Sequence, residues 1–138
     1  MKRLLVMATI LCGMSGVNSF AHEGHNHDAP TTLKAPKGGV IKALDESRLE
    51  VVYKGKSIKI YVYDKELKAA SAKDYKIEAS ALMPRTKKAE TIAMTAQDTF
   101  FEGHYDAKGV HRYTLKLKVT DIKAKQPYEL TFTIEPRK

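Results

Sequence analysis

The chain has 138 residues, a formal net charge of +8 and no tryptophan. A chain of this length accommodates one small domain, and a second folded domain is not required. Its single cysteine, Cys12, lies within the first apolar run, so neither an internal disulfide nor a cluster of thiolate ligands can hold the rest of the chain together. Metal chemistry in that part would have no thiolate ligands and would rely chiefly on nitrogen and oxygen.

Residues 1–21 have the three parts of a secretory signal peptide. Lys2 and Arg3 precede an apolar run at 4–14, and the small residues Ser19 and Ala21 take positions −3 and −1 of a cleavage site. We expect cleavage after Ala21 and export of a soluble protein to the periplasm, because no later segment approaches the roughly 20 apolar residues of a membrane-spanning helix. Lipidation of Cys12 is the less favoured alternative, since no small residue precedes it.

The positive charge is spread along the chain and does not form a block. Removal of Lys2 and Arg3 with the signal peptide leaves 22 basic against 16 acidic residues. Many lysines alternate with apolar residues, as in LKLKV at 115–119, which places them on the solvated face of a strand. We therefore expect no nucleic-acid partner, and the periplasm holds none.

The mature chain is predicted to consist of a leader and one all-β domain. Residues 22–37 are almost free of apolar side chains and form a flexible His-rich leader. Eight short runs bounded by turn residues follow, at 40–44, 48–54, 57–63, 75–83, 90–95, 99–105, 111–119 and 128–135. They predict an immunoglobulin-like antiparallel β-sandwich of seven or eight strands over 38–138, with one helical turn within 65–74. A closed barrel is the alternative.

Two strands show a clear alternation of apolar and polar residues. One face carries Tyr113, Leu115, Leu117 and Val119, and the last strand carries a similar row of Tyr128, Leu130, Phe132 and Ile134. These two rows are predicted to form the core. Turns centred on Gly55 and on residues 106–109 predict two hairpins.

Three histidines lie close together at the predicted mature N-terminus. The stretch HEGHNHD at 22–28 contains His22, His25 and His27 beside Glu23 and Asp28. Imidazole is largely neutral at pH 7, so a flexible chain of this kind can offer nitrogen ligands to Cu(II), Zn(II) or Ni(II). If cleavage leaves His22 as the first residue, its amino group and ring can chelate one ion together. The alternative is a polar leader without a specific role.

Two further histidines, His104 and His111, flank the turn at 106–109. If Ala107 and Lys108 alone form the loop, the two rings face each other about 5 Å apart at Cβ and can share a metal. A bulged turn instead separates them, and His111 is then a half-buried, hydrogen-bonded residue. Both remain candidate ligands. Met83 and Met94 are candidate Cu(I) ligands, although core packing is the favoured interpretation.

No sequence pattern indicates catalysis. The chain has no Gly-x-Ser-x-Gly, no phosphate-binding glycine loop and no helical His-x-x-x-His zinc motif. We therefore do not expect an enzyme.

Three short runs resemble a known bacterial domain. They are APKGGVI at 35–41, LEVV at 49–52 and IYVYD at 60–64. Within 22–70 the chain resembles a small β-sandwich of periplasmic heavy-metal efflux adaptors, a domain also found in short exported proteins behind His-rich leaders. The adaptors have Asn or His where this chain has Lys37, so that turn lacks one potential ligand. The chain also has no room for an adaptor's coiled hairpin.

The resemblance and the histidine cluster predict the same function. We expect a periplasmic accessory protein for copper, zinc or cobalt homeostasis that binds Cu or Zn, with an envelope efflux or adaptor protein as its partner. The alternative is a structural or interaction domain of the cell envelope that uses exposed sheet edges and binds no metal.

Overall fold

The computed structural model describes residues 33–136, and the predicted signal peptide and the histidine cluster at 22–28 lie outside them. The described residues form nine β-strands and one 3₁₀ turn, Ala72–Asp74. The strands are β1 Val40–Ala43, β2 Ser47–Lys54, β3 Ser57–Asp64, β4 Tyr75–Leu82, β5 Ala89–Ile92, β6 Met94–Ala96, β7 Phe100–His104, β8 Tyr113–Asp121 and β9 Gln126–Ile134. Within this part of the chain no helix has the length and apolar character needed to cross a bilayer.

The strands form two antiparallel sheets, which confirms the predicted β-sandwich. One sheet has the order β1-β2-β3-β7-β6 and the other the order β5-β4-β8-β9. The run β2-β3-β7-β6 reproduces the A-B-E-D arrangement of immunoglobulin domains, and β4-β8-β9 reproduces C-F-G. The topology is therefore an immunoglobulin-like Greek key, extended by β1 in one sheet and by β5 in the other.

The core lies between the two sheets and is built by the predicted alternation. Tyr113, Leu115, Leu117 and Val119 are all buried along β8. In the edge strand β9, Phe132 and Ile134 are buried, whereas Tyr128 and Leu130 are half-buried and pack against the core. The five-stranded sheet contributes the other half of the core, chiefly Leu49, Val51, Ile58, Ile60, Val62 and Phe101.

One predicted strand is in fact two. The run at 90–95 is divided at Ala93: Ile92 pairs with Ala79 in the four-stranded sheet, whereas Met94 pairs with Gly103 in the five-stranded sheet. The chain switches sheets at this point, as strands at the corners of sandwiches do. The sequence shows one apolar run because both halves bury residues in the same core.

Of the two predicted hairpins, only the first is formed. Gly55, with φ of 59°, and Lys56 form the turn between β2 and β3, and Lys54 pairs with Ser57. The second prediction was wrong, since β7 lies in the five-stranded sheet and β8 in the four-stranded sheet. Residues 105–112 are therefore a crossover between the sheets. The predicted helical turn is confirmed as the short Ala72–Asp74 segment.

Candidate functional site

The structure separates the two histidines that the sequence placed on one hairpin. His104 is the last residue of β7, lies opposite Ser57 of β3 and is exposed. His111 lies in the crossover before β8 and is also exposed, so it is not the half-buried strand residue that was expected. Because β7 and β8 belong to different sheets, the two rings are not cross-strand neighbours.

Residues 33–136 contain no group of three or more His, Cys, Asp or Glu side chains that could hold a metal ion. Met83 and Met94 are both half-buried and pack against the core, in agreement with the favoured interpretation. Within the described chain, His104 and His111 would therefore each offer one donor. The cluster formed by His22, His25 and His27 lies outside the described residues and stays a prediction.

His111 lines a surface cavity of about 900 Å³, which we call the crossover groove. The groove lies between the β4–β5 turn, residues 83–88, and the β7–β8 crossover, residues 107–112. Its floor includes half-buried Met83 and Val110. Four cationic side chains also line the groove: Arg85, Lys88, Lys108 and Arg112.

Both walls of the crossover groove are fixed by hydrogen bonds. In the crossover, Val110 N–H donates to Ala107 C=O at 3.0 Å and Lys108 N–H donates to the Asp106 carboxylate at 2.9 Å. That carboxylate also pairs with Lys56 Nζ at 2.8 Å, and these contacts hold the pKa of Asp106 below its usual range. In the other wall, Lys87 N–H donates to Met83 C=O at 3.2 Å. Each loop therefore has internal hydrogen bonds that define its shape.

Two tyrosines adjoin residues that line the groove: Tyr105 contacts Glu90, and Tyr113 follows Arg112 in the chain. The rings of Tyr105 and Tyr113 meet edge to face at 5.0 Å, and Tyr105 Oη donates to Glu90 Oε2 at 3.2 Å. Burial, and then the hydrogen bond to Glu90, raise the pKa of Tyr105 to about 12. Burial and the neighbouring Tyr105 raise the pKa of Tyr113 to about 12. Both phenols therefore stay protonated throughout the physiological range.

A buried carboxylate is the feature that sequence reasoning missed. Glu50 of β2 has no exposed surface, although its neighbours Leu49 and Val51 point into the core and Glu50 points away from it. Its Oε1 accepts hydrogen bonds from Lys37 N–H at 3.0 Å and Gly39 N–H at 2.8 Å. Its Oε2 accepts one from the Tyr63 hydroxyl at 2.8 Å.

We call this arrangement the Glu50 clamp, because it fastens residues 37–39 to the outer face of the five-stranded sheet. Charge-assisted hydrogen bonds of this kind offset the desolvation of a buried carboxylate. Burial, together with the hydrogen bond to Glu50 and its charge, raises the pKa of Tyr63 well above the usual range. Lys37 Nζ also lies 5.6 Å from the Tyr61 ring centroid. The only sequence signal was a glutamate inside a continuous apolar run.

Comparison with known proteins shows likeness at the level of the fold. No family model matches the sequence, and no curated protein matches it either. Two solved structures are similar: a copper-bound variant of FetP from uropathogenic Escherichia coli strain F11, and FetP of the same strain as isolated after expression in the periplasm. Their TM-scores are 0.55 and 0.54 at 9% sequence identity. The alignments cover 70% of this chain and 93% and 92% of the FetP chains, so the β-sandwich is shared almost along FetP's whole length.

Proposed function

We propose that this protein is a periplasmic accessory protein of transition-metal homeostasis, which binds copper, zinc or cobalt through its mature N-terminus. The observation that carries the proposal is the presence of His22, His25 and His27 with two carboxylates within seven residues. Neutral imidazoles at this density supply the nitrogen ligands that Cu(II) and Zn(II) prefer. Further support comes from the shared fold with FetP, which has been solved with copper bound.

In this proposal the leader holds the metal and the sandwich serves as its carrier. His104 and His111 are supplementary ligands, since both are exposed, they are not cross-strand neighbours, and each offers a single imidazole. The partner would be an envelope efflux or adaptor protein that receives the metal.

The second candidate is an interaction domain that pairs through an exposed sheet edge. β9, nine residues long, is the longest edge strand among the described residues. Lys42 of β1 donates from Nζ to the Thr131 carbonyl of β9 at 2.5 Å and lies 5.1 Å from the Phe132 ring centroid. A lysine over a strand edge disfavours the addition of another strand there. This contact favours the metal-binding proposal over edge pairing through β9.

The deciding experiment is a metal titration of two versions of the chain. Mass spectrometry of envelope-derived protein first fixes the true N-terminus. Competition titration with Cu(II) and Zn(II) then compares that mature chain with a version starting at Thr31, and we expect the shorter version to bind at least about tenfold more weakly. A His104→Ala/His111→Ala variant of the mature chain is the matched control and should lose less affinity. Equal affinity of the two lengths would refute the proposal.

A further inference from the structure

The crossover groove is a second candidate site, and its chemistry differs from that of a metal site. Arg85 and Lys88 line it from the β4–β5 turn, and Lys108 and Arg112 line it from the crossover. Five ion pairs form among the described residues, and none of them includes these four cations. Cations that outnumber the carboxylates around one cavity attract an anion and repel a divalent metal.

The two carboxylates of the groove, Glu90 and Glu135, offset only half of this charge. Glu90 accepts a hydrogen bond from Tyr105 Oη at its Oε2. Glu135 follows directly after β9 and also lines the groove. Four cations against two carboxylates leave the groove with a formal excess of two positive charges, and His111 adds a ring N–H donor to its lining.

The floor of the groove is apolar and firmly built. Met83 and Val110 are packed against the core, and Ala107 is buried. Backbone hydrogen bonds within each wall shape the loops on either side of this floor. A cavity of about 900 Å³ falls in the size range of small-molecule sites, which combine an apolar lining with a few polar groups.

From these observations we infer that the crossover groove binds a small amphipathic anion, a molecule with a carboxylate or phosphate head and an apolar body. Arg85 and Arg112 present planar guanidinium groups that suit the two oxygens of such a head. Met83 and Val110 cover the apolar body, and methionine adapts its shape to varied ligands. This site is independent of the leader histidines.

The test uses the metal-free mature chain in the presence of a chelator, so that its outcome does not depend on the proposed metal site. Calorimetry and amide chemical-shift titrations compare octanoate, acetate, inorganic phosphate and octylamine. We expect octanoate to bind about tenfold or more tightly than acetate, since only octanoate has an extended apolar body. Shifts should be confined to residues 83–90 and 105–113. Equal binding of octylamine, or tighter binding of inorganic phosphate, would overturn the inference.

Matched variants locate the site. Arg85→Ala/Arg112→Ala should weaken octanoate binding by about tenfold or more. The control, Lys116→Ala/Lys118→Ala, removes two exposed cations from β8, outside the groove, and should have little effect. Thermal melting verifies that each variant is folded. Val110→Asp, which places a negative charge on the floor of the groove, is a second test and should likewise weaken octanoate binding. Equal losses in both double variants would show general electrostatic attraction and refute the site.

One further arm separates a small molecule from a membrane surface. Vesicles of phosphatidylcholine with phosphatidylglycerol present anionic heads in a plane, which four cations can also contact. Binding to these vesicles that is lost in Arg85→Ala/Arg112→Ala, with no binding of octanoate, would replace the proposed ligand by a lipid surface.

Discussion

Replacing Glu50 tests whether one buried carboxylate secures the start of the domain. Glu50→Ala removes the acceptor of three hydrogen bonds, from Lys37 N–H, Gly39 N–H and Tyr63 Oη. Hydrogen bonds to a charged group contribute about 1.5–3 kcal/mol each. The donors on the exposed Lys37 and half-buried Gly39 can regain water, which reduces the loss. We therefore expect Glu50→Ala to lower the free energy of unfolding by about 3–5 kcal/mol.

Glu50→Gln separates the charge from the shape of this side chain. The amide oxygen can still accept from Lys37 and Gly39, and the amide nitrogen can donate to Tyr63 Oη, so we expect a loss of only about 1–2 kcal/mol. Tyr63→Phe, which removes one donor, should lose a similar amount. The exposed Glu78→Gln is the matched control and should leave the stability nearly unchanged.

The assay is urea unfolding followed by circular dichroism, with the slope checked for constancy between variants. Hydrogen exchange gives an independent readout: Glu50→Ala should abolish amide protection at Lys37 and Gly39 while Ile60, in the core, stays protected. If the free energy of unfolding of Glu50→Ala lies within about 1 kcal/mol of the parent value, the carboxylate does not hold residues 37–39 and the reasoning fails.

Three other properties can be measured on the same protein. Gly39→Ala would place a Cβ 2.3 Å from the Val51 carbonyl oxygen, whereas at Gly38, with φ of +75°, a Cβ has open space. Urea unfolding should therefore show that Gly39→Ala lowers the free energy of unfolding by more than about 2 kcal/mol, whereas Gly38→Ala lowers it by only about 1 kcal/mol because of backbone strain. The reverse order would contradict the close approach of Gly39 to Val51. Leu115→Ala, at a position with no exposed surface, should lower stability by about 2–5 kcal/mol, and a loss under 1 kcal/mol would argue against the packed core. In alkali, a tyrosine of the unfolded chain ionises near its ordinary pKa of about 10, whereas a buried tyrosine retains its proton to higher pH. The contribution of the buried tyrosines to the free energy of unfolding is therefore fully present below pH 10 and is lost as the pH rises from 10 towards 12. Absorbance at alkaline pH should therefore show late ionisation, coincident with unfolding, for three tyrosines: Tyr63, Tyr105 and Tyr113. Their early ionisation in still-folded protein would refute the burial argument.

The fold class could be predicted because its signals are local. Alternation along β8 places Leu115 and Leu117 on one face whatever their partners are, since successive side chains of a strand point to opposite sides. The turn at Gly55 likewise depends only on a residue that tolerates positive φ. Periodicity and turn chemistry were therefore enough to indicate an antiparallel sandwich.

The candidate sites depend on contacts between residues far apart in the chain, and local patterns in a single sequence do not predict such contacts. Residues 106–109 have the composition of a hairpin turn, yet the chain crosses between sheets there because β7 pairs with β3 and β8 pairs with β4. That choice separates His104 from His111 and brings the crossover beside the β4–β5 turn to form the crossover groove. Glu50 is decided in the same way: its burial follows from residues 37–39 folding over the sheet, and alternation alone would leave it exposed.

What the sequence by itself determined is the chemistry carried by local pattern: a cluster of imidazoles and strands with one apolar face, together with the prediction of an export signal. What only the tertiary structure decided is which distant side chains meet, namely Glu50 with Tyr63 and the crossover with the β4–β5 turn. The physical reason is that strand pairing joins residues far apart in the chain, and the free energy of packing the whole core selects among pairings that look equivalent locally.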